Sequence, residues 1–100
     1  MFILTTSTYP PDKANEVVAF FQKATAVALP PYLKRLYVLT TSGLEAGIKS
    51  VGLYEVNDDK VAEGYKELVK YFVQCYGVVG FRYSIEPVLT AQEAIPLLRR

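Results

Sequence analysis

Residues 33–56 read LKRLYVLTTSGLEAGIKSVGLYEV, and this stretch decides the fold. Leu33 to Thr41 alternates as a strand, and Ile48 to Val56 forms another, with the period of two that a pleated backbone imposes. Between them Ser42-Gly43-Leu44-Glu45-Ala46-Gly47 makes a hairpin connection, somewhat long. Two consecutive strands with no helix between them form the middle of the chain, and the flanks complete the pattern.

Upstream, Phe2 to Tyr9 is rich in β-branched and aromatic residues and closes at Pro10-Pro11, a strand followed by a stop. Asp12 is placed to cap a helix whose apolar positions Val17, Phe20, Phe21, Ala24, Val27 and Ala28 recur at three and four residues. Pro30-Pro31 prevents that helix from continuing. Downstream, Asn57-Asp58-Asp59 starts a second helix, with carboxylates where the helix dipole favours them. Its apolar stripe is Val61, Tyr65, Leu68, Phe72 and Cys75 or Tyr76, and Gly64 within it should cost about 1 kcal/mol relative to alanine. Gly77 is a natural C-terminal stop, and Gly80 opens a fourth strand, Phe81 to Val88. Thr90-Ala91-Gln92-Glu93 is a capping box for a last helix that Pro96 keeps short or kinks. The order is β-α-β-β-α-β, predicting one α+β domain over residues 1–100: a ferredoxin-like four-stranded antiparallel sheet with two helices on one face and a short C-terminal helix.

Composition narrows the function by exclusion. Net charge is +1 with dispersed basic residues, whereas nucleic-acid binding needs many cations on one face. The RNA-recognition pattern wants aromatics at three set positions of the third strand; Val51, Leu53 and Val56 stand there, so no stacking platform is expected. No run approaches the roughly 18 apolar residues of a membrane helix, and Met1-Phe2-Ile3-Leu4 lacks the basic start and apolar length of a signal peptide. With one cysteine no intramolecular disulfide forms. The expectation is a cytoplasmic protein with no nucleic-acid or membrane partner.

The sequence contains no histidine, which removes Ser-His-Asp and Cys-His units and imidazole metal ligands. A single cysteine cannot build a structural zinc site, and Cys75 on the apolar stripe reads as a buried small hydrophobe. Asp58, Asp59 and Glu63 read as helix-end carboxylates, since a hard-cation site needs six or more oxygens. No metal or cofactor is expected.

The unusual feature is eight tyrosines with no tryptophan, a residue choice that suits partly dry surfaces. Helices after strands one and three cover only one face of the sheet, and alternation sorts the strand residues between the faces. Phe2, Leu4, Leu36, Val38, Val51, Leu53, Phe81, Tyr83 and Ile85 are assigned to the helix side. Ile3, Thr5, Ser7, Tyr9, Arg35, Tyr37, Leu39, Thr41, Ser50, Gly52, Tyr54, Arg82, Ser84 and Glu86 are assigned to the bare side. That mixed face fits a homodimer enclosing a lined cavity, against a monomer whose tail covers it. The candidate ligand-binding set is Tyr37, Tyr54, Arg82 and Glu86. In it Arg82 could hold a carboxylate or phosphate, Glu86 could serve as a base, and the tyrosines could stack on a ring. The alternative is an Arg82–Glu86 ion pair along one strand with tyrosines packing at an interface.

Gly52-Leu53-Tyr54-Glu55-Val56, together with Glu86-Pro87-Val88-Leu89-Thr90 followed by Glu93-Ala94, resembles the dimeric α/β-barrel superfamily of ferredoxin-like folds. That resemblance extends over the whole chain and includes antibiotic-biosynthesis-type monooxygenases, muconolactone isomerase-like proteins and small members without assigned function. It implies a homodimer whose two sheets enclose a pocket. Enzymatic members commonly use a histidine and haem-binding members a histidine ligand, and its absence here counts against both. The leading expectation is therefore a small homodimeric domain binding a small ligand. A cofactor-independent isomerase or monooxygenase and a purely structural dimerisation domain are the alternatives, so catalysis is left open.

Overall fold

The computed structural model describes residues 1–43 and 47–99. Residues 44–46, at the centre of the expected hairpin connection, lie outside the described residues. β1 (Phe2–Tyr9) runs between β3 (Gly47–Val56) and β4 (Arg82–Val88), and β2 (Leu33–Gly43) flanks β3 on its far side. The spatial order is β2-β3-β1-β4, with every neighbouring pair antiparallel. With α1 (Ala14–Thr25) and α2 (Val61–Val73) following β1 and β3, this is the ferredoxin-like arrangement, extended by α3 (Ala91–Leu98). The molecule measures 45 × 32 × 19 Å, and the short dimension matches one sheet with one layer of helices. Among the described residues no helix is long and apolar enough to cross a membrane.

The helix ends differ from the expected ones. Asp12 does not cap α1; it lies in a 3-10 turn, Pro11–Lys13, and α1 begins at Ala14. α1 ends at Thr25, leaving Val27 and Ala28 exposed beyond it. Asn57 precedes a second 3-10 turn, Asp58–Lys60, and makes no side-chain cap. α2 stops at Val73, ahead of Gly77, and tightens into three-residue turns in which Cys75 N–H donates to Phe72 O at 3.0 Å and Val78 N–H to Cys75 O at 3.0 Å. Both Cys75 and Val78 are buried beyond the end of the helix. The turn into β4 rests on Gly80, whose φ of 85° no other residue type adopts without strain and whose Cα packs against Pro10. At α3 the capping box forms as expected: Glu93 N–H donates to Thr90 Oγ1 at 3.2 Å, and Thr90 N–H donates to Glu93 Oε1 at 3.0 Å.

The core has two centres. Ile3, Leu33, Tyr54, Val56 and Leu68 form one, and Tyr9, Val17 and Val78 the other. Phe21, Phe72, Phe81 and Tyr83 join them, with the Phe72 and Tyr83 rings parallel at 5.1 Å.

Which residues face the helices is where alternation misleads. In β1 the buried set is Ile3, Thr5, Ser7 and Tyr9, not Phe2 and Leu4. In β3 it is Gly52, Tyr54 and Val56, not Val51 and Leu53. Both strands are apolar on both faces, so hydrophobic weight does not choose. The choice falls to the close approach of α2, where Gly64 settles on Val56, Leu33 and Ile3. In β4 Phe81, Tyr83 and Ile85 do turn inward. β2 contains a bulge between Arg35 and Tyr37 that breaks its alternation, sending Arg35 to the helix side and Tyr37 to the bare side.

Gly64 is therefore a packing requirement and not only a helix-propensity cost. A Cβ there would stand 2.9 Å from Val56 Cγ2. Alanine gains about 1 kcal/mol of helix propensity, but overpacking typically costs 1–3 kcal/mol, and the stiff Val56 side chain has little room to yield. Gly64→Ala is expected to lower the midpoint of urea unfolding, whereas Glu63→Ala, on the exposed side of α2, should leave it nearly unchanged.

Candidate functional site

The face without helices can be written out from the strand register. Four cross-strand rows run in the order β2, β3, β1, β4: Thr41-Lys49-Thr8-Arg82, Leu39-Val51-Thr6-Ser84, Tyr37-Leu53-Leu4-Glu86 and Lys34-Glu55-Phe2-Val88. Paired residues of an antiparallel ladder project to the same side, so each row is a line of neighbouring side chains. The centre is apolar: Leu39, Val51, Leu53, Leu4, Tyr37 and Phe2 adjoin one another. One end carries Lys49 and Arg82, and the other carries Glu55 and Glu86, with Lys34 beside Glu55. At the basic end Thr6, Thr8, Arg82, Tyr83 and Ser84 line a shallow hollow of about 220 Å³.

Three of the four sequence-derived site residues lie on this face, but not together. Arg82 lines the hollow on β4. Glu86 lies four residues further along the same strand, where it accepts a hydrogen bond from Ser84 Oγ at 3.3 Å. Tyr37, 63% exposed, lies on the opposite edge strand, three strand spacings away or roughly 14 Å. Among the described residues Arg82 and Glu86 form no ion pair with each other. Tyr54 is on the other side of the sheet, 3% exposed beneath the helices, because Gly52 and Tyr54 share the inward phase of β3. Thr5 and Ser7, expected beside the set, are inward as well.

Tyr54 instead belongs to a second grouping. Its hydroxyl accepts from Arg35 Nε at 3.4 Å, and the Arg35 guanidinium lies 5.6 Å from the Tyr54 ring centroid and 5.9 Å from that of Tyr71 on α2. Both tyrosines border a cleft of about 40 Å³ between sheet and helices, floored by Thr5, Ser7, Ser50, Gly52 and Val38 and roofed by Phe21 and Phe72. Gly52 keeps it open, since a Cβ there would stand 2.6 Å from Thr5 Oγ1. Sequence reasoning placed Arg35 on the bare face; the bulge that moves it left no signature in the alternation.

Burial pushes the Tyr71 hydroxyl up to about 12, with the neighbouring Tyr54 adding to the rise and Arg35 opposing it. Tyr83 is likewise pushed up to about 12, first by its 2.8 Å hydrogen bond with Tyr76 and then by burial. Cys75 is fully buried, and burial pushes its thiol up, away from the thiolate that reactivity needs.

No family model matches this chain, and no curated protein matches it in sequence. Several solved structures are similar to it at low identity. The C-terminal domain of the MgtC protein from Mycobacterium tuberculosis is 12% identical with a TM-score of 0.49, over 90% of both chains. A formyltetrahydrofolate deformylase from Pseudomonas putida KT2440 is 11% identical with a TM-score of 0.48, over 87% of this chain and 28% of that one. The same enzyme from Burkholderia mallei ATCC 23344 is 14% identical with a TM-score of 0.42, over 85% and 27%. The present chain thus spans between a quarter and a third of the deformylases.

Raised tyrosine pKa values make stability fall at high pH. Tyr71 ionises near 10 when unfolded and near 12 when folded, so the folded form holds the extra proton between these values. Its contribution is complete below pH 10 and is lost as pH rises through 12. Absorbance titration near 295 nm should show late-ionising tyrosines in this window, with one fewer in Tyr71→Phe. In that variant the stability loss between pH 10 and 12 should also be shallower.

Proposed function

We propose that the domain pairs with a second copy through its bare sheet face and works as a small-ligand-binding or regulatory module of the dimeric α/β-barrel type. The carrying observation is the apolar centre of that face, Leu4, Leu39, Val51 and Leu53, flanked by Lys49 and Arg82 at one end and Glu55 and Glu86 at the other. A four-stranded sheet of this length presents roughly 400–500 Å², the size at which apolar surface begins to signify a partner. A two-fold axis lying between the sheets and across the strands reverses the second copy. Its acidic end then meets the first copy's basic end, making the face self-complementary in charge.

In this pairing the hollow beside Arg82, Thr6, Thr8 and Ser84 becomes an enclosed cavity, and the partner's acidic end closes it. The guanidinium and three hydroxyls, facing the partner's carboxylates, suit a small uncharged polar ligand rich in hydrogen-bonding atoms. Glu86 and Tyr37 then act as interface residues near the cavity and not as an acid–base pair. α3 supports the same reading, since Leu97 and Leu98 are 74% and 78% exposed and a second copy supplies apolar surface for them.

Light scattering at micromolar concentration should give a mass near twice the 11.2 kDa chain. Leu53→Glu should yield a folded monomer with unchanged far-ultraviolet circular dichroism. The double reversal Lys49→Glu with Arg82→Glu should weaken the dimer at least tenfold, and adding Glu55→Lys with Glu86→Lys should restore much of it. A wild-type protein that stays monomeric across this range excludes the reading.

A further inference from the structure

α3 reads AQEAIPLL, with both of its polar residues in the first turn. A helix that is apolar on every side belongs inside a fold. Here no residue of it is buried: Ala94 is half-buried, the others are exposed, and among the described residues neither core centre includes any of them. Eight residues are too few to hold a helix in water without packing, and Pro96 removes one of its few hydrogen bonds. The capping box secures the start, and the far end, Ile95, Leu97 and Leu98, still needs an apolar surface.

A matching surface follows α2. There the backbone runs in three-residue turns, Cys75 N–H donating to Phe72 O and Tyr76 N–H to Val73 O at 3.1 Å. Side chains three apart eclipse in such turns. Phe72, Cys75 and Val78 form a buried column, and Val73, Tyr76 and Val79 form a second column that faces outward. Tyr76 is 67% and Val79 77% exposed. Six steps of about 2 Å make the outer column about 12 Å long, and α3, at about 1.5 Å per residue, has the same length.

In one copy the two surfaces stand at opposite ends of β4, the column before Arg82 and α3 after Val88. The two-fold pairing of the bare faces lays β4 over the partner's β4 in the reverse direction, so the Val88 end of one copy overlies the Arg82 end of the other. Stacked sheets are about 10 Å apart, whereas Leu89, Thr90 and α3 together reach about 19 Å. The buried area points to the same occupant. The sheet face alone, roughly 400–500 Å² per copy, falls short of the about 800 Å² per partner of a stable interface. Leu89, Ile95, Leu97 and Leu98 offer roughly 60–120 Å² each when fully covered. Burying their exposed parts together with the column beneath them supplies most of the difference.

We propose that α3 is an exchanged arm, each copy laying Ile95, Leu97 and Leu98 on the Val73–Tyr76–Val79 column of the other. This rests on the face-to-face pairing and adds a second contact that fixes the two copies in one register.

The test measures the dimer dissociation constant of full-length variants by analytical ultracentrifugation. Leu97→Ser with Leu98→Ser, and separately Val79→Asp, should each weaken the dimer at least tenfold. Added to the monomeric Leu53→Glu chain, the same changes should leave the urea midpoint nearly unaltered. Mixing Leu97→Cys chains with Val79→Cys chains under mild oxidation should give a disulfide-linked pair that neither variant forms alone. The native Cys75, buried in both, serves as the internal control. A dissociation constant unchanged by both sets of substitutions overturns the exchange and leaves the face pairing standing, whereas a monomeric wild type overturns both. A urea midpoint lowered by the paired serine changes in the monomer places the arm on its own chain and overturns the exchange, as does failure of the mixed disulfide to form.

Discussion

β1 pairs along its length with β3 on one side and β4 on the other, so its phase sets the faces of three strands at once. Turning Ile3 and Tyr9 inward anchors the two core centres at opposite ends of one strand. It also obliges Thr5 and Ser7 to lie between them, under the helices. The hydroxyl-lined cleft is thus a consequence of strand geometry: a chain that buries residues three and nine of a regular strand must also bury five and seven. On the other side the same phase exposes Phe2 and Leu4, which line up with Leu53, Val51 and the edge-strand residues Tyr37 and Leu39.

This division explains how two surfaces of different character arise from one sheet. The helix side is polar at its centre and holds a confined arginine, whereas the bare side is apolar at its centre and charged at its ends. Each departs from the usual partition, in which the covered face is aliphatic and the free face polar. An apolar free face is reason to look for a partner.

The elements and their order were legible because each is bounded by local chemistry: Pro10-Pro11, Pro30-Pro31, the acidic run after Asn57, and the Thr90 capping box. The faces were not equally legible. β4 was assigned correctly because Phe81, Tyr83 and Ile85 outweigh Arg82, Ser84 and Glu86 in hydrophobicity. β1 and β3 carry large apolar residues in both phases, and what separates them is the fit of Gly64 on Val56, a long-range contact that no local pattern contains. β2 failed for a different reason, since one extra residue at its bulge reverses the phase for everything before it. The site suffered accordingly. Tyr54 was grouped with Tyr37 when it belongs with Arg35, and the cleft was invisible because its defining residues are small.

The bulge has a further effect on how copies of this chain can meet. β2 and β4 are the two outer strands, and an outer strand offers unpaired backbone groups on which another strand can grow. In β2 the bulge twists that rim and interrupts the regular spacing of its donors and acceptors. In β4 Pro87 has no N–H to offer. Both rims are blunted against the open-ended strand-by-strand growth that produces fibrils.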